Sequence, residues 1–166
     1  MKNTRDLENV TTCEAGSNLL KVCWIEDEKE RYSFSDETGN LITDSVFDEV
    51  GMFTSCGVAI VRIGNEWNFI DTDGNIISNE WFDYIEYPIS GVSIVGKNGK
   101  KNLFRFADKR VVSDDWFDTV EFFDDESALV SIEEKYNLID KNGNTIYKNW
   151  FVSRSRAENA INEDFQ

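Results

Sequence analysis

The sequence contains no histidine. That removes the commonest general base, and with it any Ser-His or Cys-His nucleophile pair. Its three cysteines, Cys13, Cys23 and Cys56, are an odd number at irregular spacing, which makes neither a disulfide framework nor a zinc set. No run approaches the roughly 18 apolar residues of a membrane span. Met1 to Val10 holds Lys2, Arg5, Asp6 and Glu8 and lacks the apolar stretch of a signal peptide. A cytoplasmic chain with reduced thiols is expected, in which the sequon Asn9-Val10-Thr11 stays idle. Basic residues are scarce as well: 17 Lys and Arg stand against 32 Asp and Glu, for a formal charge of −15. Such a chain would be repelled by phosphates over most of its surface, so direct nucleic-acid binding is not expected. A solvated acidic surface, or a protein partner with a basic one, accounts for the excess.

What the sequence does have is a repeat. At 166 residues, 40% hydrophobic and 13% aromatic, the chain can bury a core as one domain. Trp81-Phe82-Asp83 returns 35 residues later as Trp116-Phe117-Asp118; Val46-Phe47-Asp48 stands 35 earlier, and Trp150-Phe151-Val152 closes the series. A second thread, Asn68-Phe69-Ile70-Asp71, reappears as Asn102-Leu103-Phe104-Arg105 and Asn137-Leu138-Ile139-Asp140, with Tyr32 to Asp36 as its degenerate first copy. A third is the turn Glu37-Thr38-Gly39-Asn40, Thr72-Asp73-Gly74-Asn75 and Lys141-Asn142-Gly143-Asn144, replaced in the third copy by Ala107-Asp108-Lys109-Arg110 with one inserted residue. Three threads on one period give four repeats, the terminal ones imperfect because each has an outer face that must meet water.

The expected organisation is an N-terminal arm or short helix over 1–17, a four-repeat all-β domain over 18–152 (18–53, 57–87, 91–122, 127–152), and a polar C-terminal tail over 153–166 with one or two helical turns from Ser155. Leu19 to Ile25 has the length and content of a buried strand. In the second repeat Val58 to Ile63 is apolar on both faces, Gly64-Asn65-Glu66 turns the chain into Trp67 to Asp71, and Asp73-Gly74 reads as a type I′ hairpin. Ile76-Ile77 begins a further strand that Trp81-Phe82 and Tyr84-Ile85 resume. One such unit cannot bury both faces alone, so copies must stack. The fold expected is an all-β array of four antiparallel repeats of about 35 residues, solenoid-like and elongated or curved, with a small closed β-propeller as the alternative.

Trp67 to Asn75 and Tyr136 to Asn144, each followed by a Trp-Phe phrase, resemble bacterial and phage WG repeats. In the commoner form a glycine follows the aromatic; here Asn68, Asn102 and Asn137 hold that place, and Lys101 replaces the aromatic before Asn102. The resemblance runs from about Leu19 to Val152. It implies an all-β repeat fold acting as an interaction scaffold, with no shared catalytic residues and no cofactor.

Gly96 to Lys101 fails the P-loop spacing and falls where a hairpin turns. Asp71 to Asn75 and Asp140 to Asn144 cluster oxygens as calcium loops do, but lack the further ligands and the bidentate Glu, so hairpin chemistry explains them and no metal site is assigned. With 32 acids, carboxylate pairs for a hydrolase arise by chance. Phe47-Asp48, Phe82-Asp83 and Phe117-Asp118 read as a ring packed between repeats with a carboxylate capping a turn, or as exposed anchors. The five tryptophans at repeat spacing read as core. The expected function is therefore a non-enzymatic protein-binding repeat module. The alternative is an acidic phage-encoded inhibitor that occupies the basic channel of a host nucleic-acid enzyme, of the anti-restriction or anti-CRISPR type. Its partner-binding residues would be Asp114, Asp115, Asp118, Glu121, Asp124, Asp125 and Glu126, from a stretch without a single base.

Overall fold

A computed structural model describes residues 2–122 and 124–164. The chain divides into two compact units at the Ile85–Glu86 bond. In the first, strands β1 (Thr11–Gly16), β2 (Leu19–Glu26) and β3 (Lys29–Ser35) form one antiparallel sheet, and β4 (Glu49–Val50), β5 (Val58–Ile63) and β6 (Glu66–Asp71) form another, with β7 at Tyr84–Ile85. In the second, β8 (Val92–Lys97), β9 (Lys100–Arg105) and β10 (Arg110–Val111) pair in the order β10-β9-β8, and β11 (Thr119–Phe122), β12 (Ser127–Ile132) and β13 (Lys135–Asp140) in sequence order. A helix, α1 (Arg154–Asp164), follows. The fold is an all-β repeat fold, as the sequence pattern implies.

Four backbone devices recur and explain the period. The first is the phenylalanine of the Trp-Phe phrase. Phe47 exchanges two backbone hydrogen bonds of 2.9 Å with Tyr32, and Phe82 with Trp67, Phe117 with Lys101 and Phe151 with Tyr136 each exchange two of 2.8 or 2.9 Å. Phe47, Phe82 and Phe117 are fully buried. The residues just after the phenylalanine then leave that sheet. Glu49 and Val50 pair with Arg62 and Val61 of the next repeat, and Thr119 to Phe122 pair with Ser131 to Ala128. One short segment thus bonds first to its own repeat and then to its successor, which couples neighbouring copies through backbone. Ile76 makes only an isolated bridge to Ile70, so the continuous strand expected through Ile76, Phe82 and Tyr84 is instead a chain of brief contacts.

The second device is the asparagine that stands in place of the commoner glycine. Asn68, Asn102 and Asn137 are completely buried. Asn68 Nδ2 donates to the carbonyls of Ser78 (3.0 Å) and Glu80 (3.1 Å); Asn102 Nδ2 donates to those of Ser113 (2.8 Å) and Asp115 (3.1 Å); Asn137 Nδ2 donates to that of Tyr147 (2.9 Å). Each buried amide bonds one or two carbonyls of the irregular loop that carries the Trp-Phe phrase and so pins that loop to its strand. In the first repeat Ser33 Oγ reaches the Ser45 carbonyl at 3.1 Å in the same role.

The third is the turn. Asp71 Oδ1 accepts the backbone N–H groups of Asp73 (3.1 Å) and Asn75 (2.8 Å), and Gly74 N–H bonds to the Asp71 carbonyl at 3.0 Å. Asp36 and Asp140 repeat the pattern with Thr38 and Asn40, and with Asn142 and Asn144. Only the glycine of each turn has positive φ, so these are not the type I′ hairpins expected; they are type I turns closed by one left-handed residue. Two-residue turns with positive φ at both positions lie elsewhere, at Ser17-Asn18, Asp27-Glu28, Ser90-Gly91, Asn98-Gly99 and Glu133-Glu134, three of them without glycine. The turn glycine also fixes packing between copies: a Cβ on Gly74 would lie 2.0 Å from the Ile42 carbonyl oxygen, and one on Gly143 2.2 Å from that of Val112. In the third repeat, where Arg105 replaces the aspartate, its guanidinium closes the enlarged loop on Asp108 at 2.8 and 2.6 Å and reaches the Lys141 carbonyl at 3.1 Å. That pair holds the Asp108 carboxyl far below the usual carboxylate range, with Arg110 adding to the effect.

The fourth device is the aspartate after the phenylalanine. Asp48 Oδ2 accepts the Gly64 N–H at 2.6 Å while Oδ1 takes Arg31; Asp118 Oδ2 accepts the Glu133 N–H at 2.8 Å while Oδ1 takes Lys100. The carboxylate caps the hairpin of the following repeat, the structural one of the two roles expected.

Both flanks differ from a plain arm and tail. Thr4 to Asp6 form a short 3₁₀ turn whose Thr4 N–H and hydroxyl both donate to the Gly39 carbonyl, at 2.9 and 2.8 Å. Residues 11–16, within the stretch expected as an arm or short helix, are strand β1 paired with β2. It is mostly exposed with only Ala15 buried, so no alternation of apolar residues announces it. The helix α1 runs three turns rather than one or two, because Ala157 and Ile161, four apart on one face, are buried against Leu129 and Leu138.

Candidate interaction surface

The seven acids singled out by sequence lie on the β10–β11 loop (Asp114, Asp115), at the head of and within β11 (Asp118, Glu121) and on the β11–β12 turn (Asp124, Asp125, Glu126). Four are occupied within the chain. Asp118 holds Lys100, and that bond together with the Glu133 N–H keeps its carboxyl below the ordinary value. Glu121 is gripped by both terminal nitrogens of Arg154 at 2.9 Å, which lowers its carboxyl and raises the guanidinium. Burial would raise the Asp124 carboxyl, but bonds from the Glu126 and Ser127 N–H groups and the Ser127 hydroxyl lower it on balance. Glu126 pairs with Lys141 at 2.8 Å. Asp114, Asp115 and Asp125 are exposed. The cations that pair with Asp118, Glu121 and Glu126 come from the third and fourth repeats and from α1, up to 33 residues away, so three of the seven acids are offset in space.

Charge is distributed unevenly in a different way. Through Ile85 the chain has six Lys and Arg against 17 Asp and Glu, a net of −11; from Glu86 onward it has 11 against 15, a net of −4. Three of the six cations of the first unit are engaged: Arg31 by Asp48, Arg62 by Glu49, and Lys21 over the Tyr32 ring at 4.4 Å. The hydroxyl of that tyrosine donates to Glu30, which with burial pushes its pKa up to about 12.

This acidic unit contains an open apolar cleft of about 370 Å³. Trp24 and Leu41 lie at its base, 6% and 4% exposed, in a small cluster with Val22 against which Leu7 and Val10 pack. Val46, 40% exposed, stands at the mouth, and Lys2, Glu26 and Asp44 supply the polar rim. The local sequence dictates the arrangement: β2 presents Val22 and Trp24 on one face, and the bond from the Leu41 N–H to the Lys2 carbonyl (3.3 Å) lays the N-terminal segment alongside. Trp24 was expected in the core and is there, whereas the other four tryptophans are half-buried. Sequence reasoning gave Leu7, Leu41, Asp44 and Val46 no binding role; the net charges of the two halves, −11 and −4, are a signal by which this unit could have been found. Among the described residues no group of three or more His, Cys, Asp or Glu side chains is placed to hold a metal ion, and no helix is long and apolar enough to cross a membrane.

No curated protein matches the chain. Among solved structures it is similar to KlHsv2 with loop 6CD replaced by a Gly-Ser linker, at a TM-score of 0.41 and 11% identity over 76% of this chain and 48% of that one. The chain thus spans about half the length of that structure. The family model described as WG containing repeat matches residues 32–67 and 69–100, the first of which opens at Tyr32 and closes at Trp67. Each segment contains an Asp-x-x-Gly-Asn turn followed by a Phe-Asp phrase, and over these two segments the chain is similar to WG containing repeats.

Proposed function

We propose that the chain is a non-enzymatic protein-binding module whose partner docks on the first unit at the cleft between Leu7, Trp24, Leu41 and Val46. The observation that carries this reading is the cleft itself, an open apolar hollow in the more acidic unit with a partly exposed aliphatic side chain at its mouth. Repeat arrays offer such surfaces to partners, and a desolvated pocket at the centre of a contact is where binding energy concentrates. The carboxylates that recur at the same place in each repeat, Asp48, Asp71, Asp118 and Asp140, serve as turn caps. The experiment is capture of partners from a lysate of the source cells by the tagged chain, by Val46→Glu, and by Val152→Glu, a change at a 66% exposed site in the other unit. Loss with Val46→Glu and retention with Val152→Glu is the expected pattern; retention with both sinks the docking reading.

The inhibitor reading rests on the seven acids from Asp114 to Glu126. All seven are exposed; Asp118, Glu121, Asp124 and Glu126 already make bonds within the chain, and Asp114, Asp115 and Asp125 are the three that make no ion pair or turn cap among the described residues. Converting those three to Asn leaves capture intact if the cleft is the site.

A further inference from the structure

We propose that the cleft takes a basic, aliphatic-anchored segment of the partner protein: a leucine- or isoleucine-sized side chain seated on Trp24 and Leu41, flanked by Lys or Arg side chains that meet Glu26 and Asp44. This rests on the docking reading above and specifies its partner. The size of the hollow, about 370 Å³, suits one or two aliphatic side chains with their backbone. Its base is nearly all hydrocarbon, so an apolar anchor gains from burial there and a polar one loses its hydration without a partner.

The rim decides what flanks the anchor. Asp44 is exposed and makes no ion pair among the described residues; Glu26 has only a 3.7 Å contact with Arg31 Nε and its side chain is 55% exposed. Beyond Glu26 the two-residue turn projects Asp27 and Glu28, both exposed. Lys2 offsets one of the two rim acids, but the unit as a whole carries a net of −11, a field that attracts a cationic segment from a distance and repels an anionic one. The same field argues against a second copy of this chain as occupant, since each copy has a charge of −15.

The test uses two synthetic peptides of equal length with the same central Leu-Leu pair, one flanked by Lys and Arg, the other by Asp and Glu, titrated into the full ¹⁵N-labelled chain. The basic peptide should shift the amides of Leu7, Trp24, Leu41 and Val46 and weaken at least tenfold on going from low to high salt. Glu26→Lys/Asp44→Lys, both exposed sites, should lose at least tenfold for the basic peptide and gain for the acidic one, with the circular dichroism spectrum unchanged. Equal affinity for the two peptides, shifts outside the cleft, or binding by neither overturns the proposal. If Val46→Glu abolishes capture of the partner while the basic peptide fails to bind, docking stands and its basic chemistry is wrong; if capture survives Val46→Glu, both fall.

Discussion

Replacing Gly74 with alanine isolates how one repeat seats on another. Two separate penalties apply. The glycine has φ +85°, a left-handed conformation that costs an L-residue about 1 kcal/mol. The new Cβ would also lie 2.0 Å from the Ile42 carbonyl oxygen and 2.7 Å from its carbon, where ordinary contact needs about 3.3 Å. The obstacle is backbone held in the first unit, not the end of a flexible side chain, so the turn and the Ile42 loop must separate by about 1.3 Å, a distortion comparable to an overpacked core at about 1–3 kcal/mol. Gly99→Ala is the control: its φ is +76° and a Cβ there meets nothing within 4 Å, so it bears only the conformational cost. Gly74→Ala should therefore destabilise by about 2–4 kcal/mol and Gly99→Ala by about 1 kcal/mol. Urea unfolding followed by tryptophan fluorescence measures both, and in thermal melts each kcal/mol is worth about 2–4 °C at this chain length. If the two variants fall within about 0.5 kcal/mol of each other, the close approach of turn to strand is not what selects glycine at position 74.

Removing the buried amide in Asn102→Ala strands the Ser113 and Asp115 carbonyls, so urea unfolding should show a loss of about 2–4 kcal/mol. Ile161→Ala empties the seat of α1 against Leu129 and Leu138; a cost of about 2–4 kcal/mol is expected, read as faster hydrogen exchange across α1. Glu134→Gly, at a residue with φ +61°, relieves a left-handed glutamate and should raise the melting temperature, by about 0.5–1 kcal/mol of stability. The carboxyls of Asp36, Asp118 and Glu121 titrate below their unfolded values of 3.8, 3.8 and 4.5, so their contribution is complete above those values and drains away as pH falls through the depressed ones. The urea midpoint should drop below about pH 4, less steeply in Asp118→Asn, where the Lys100 and Glu133 partners no longer favour an ionised group.

Period, strand content and turn positions were legible because each is set by neighbours in sequence. Asp-x-x-Gly-Asn folds back on its own carboxylate, and Val58 to Ile63 or Ser127 to Ile132 need only their own pattern to read as strands. The aromatic-Asn and Trp-Phe phrases could be seen to travel together, but not why. Their coupling lies in two carbonyls ten to thirteen residues downstream, bonded to a buried amide. Strand β1 was missed because four of its six residues are exposed, and α1 was underestimated because Ala157 and Ile161 become a buried face only against β12 and β13.

The sequence by itself determined that this is an acidic all-β repeat chain without histidine, with its copies spaced by about 35 residues. Tertiary structure alone decided which charges remain outward. A run of acids looks like one surface in one dimension, yet Arg154, Lys100 and Lys141 arrive from 15 to 33 residues away to pair with three of its members. It also decided where apolar groups stay open, since Leu7, Trp24, Leu41 and Val46 are scattered over 40 residues of chain and share a cleft only once β2 and the N-terminal segment lie side by side. Local patterns are written in adjacent residues; pairing of charge and exposure of hydrocarbon depend on what distant segments bring, and folding settles both together.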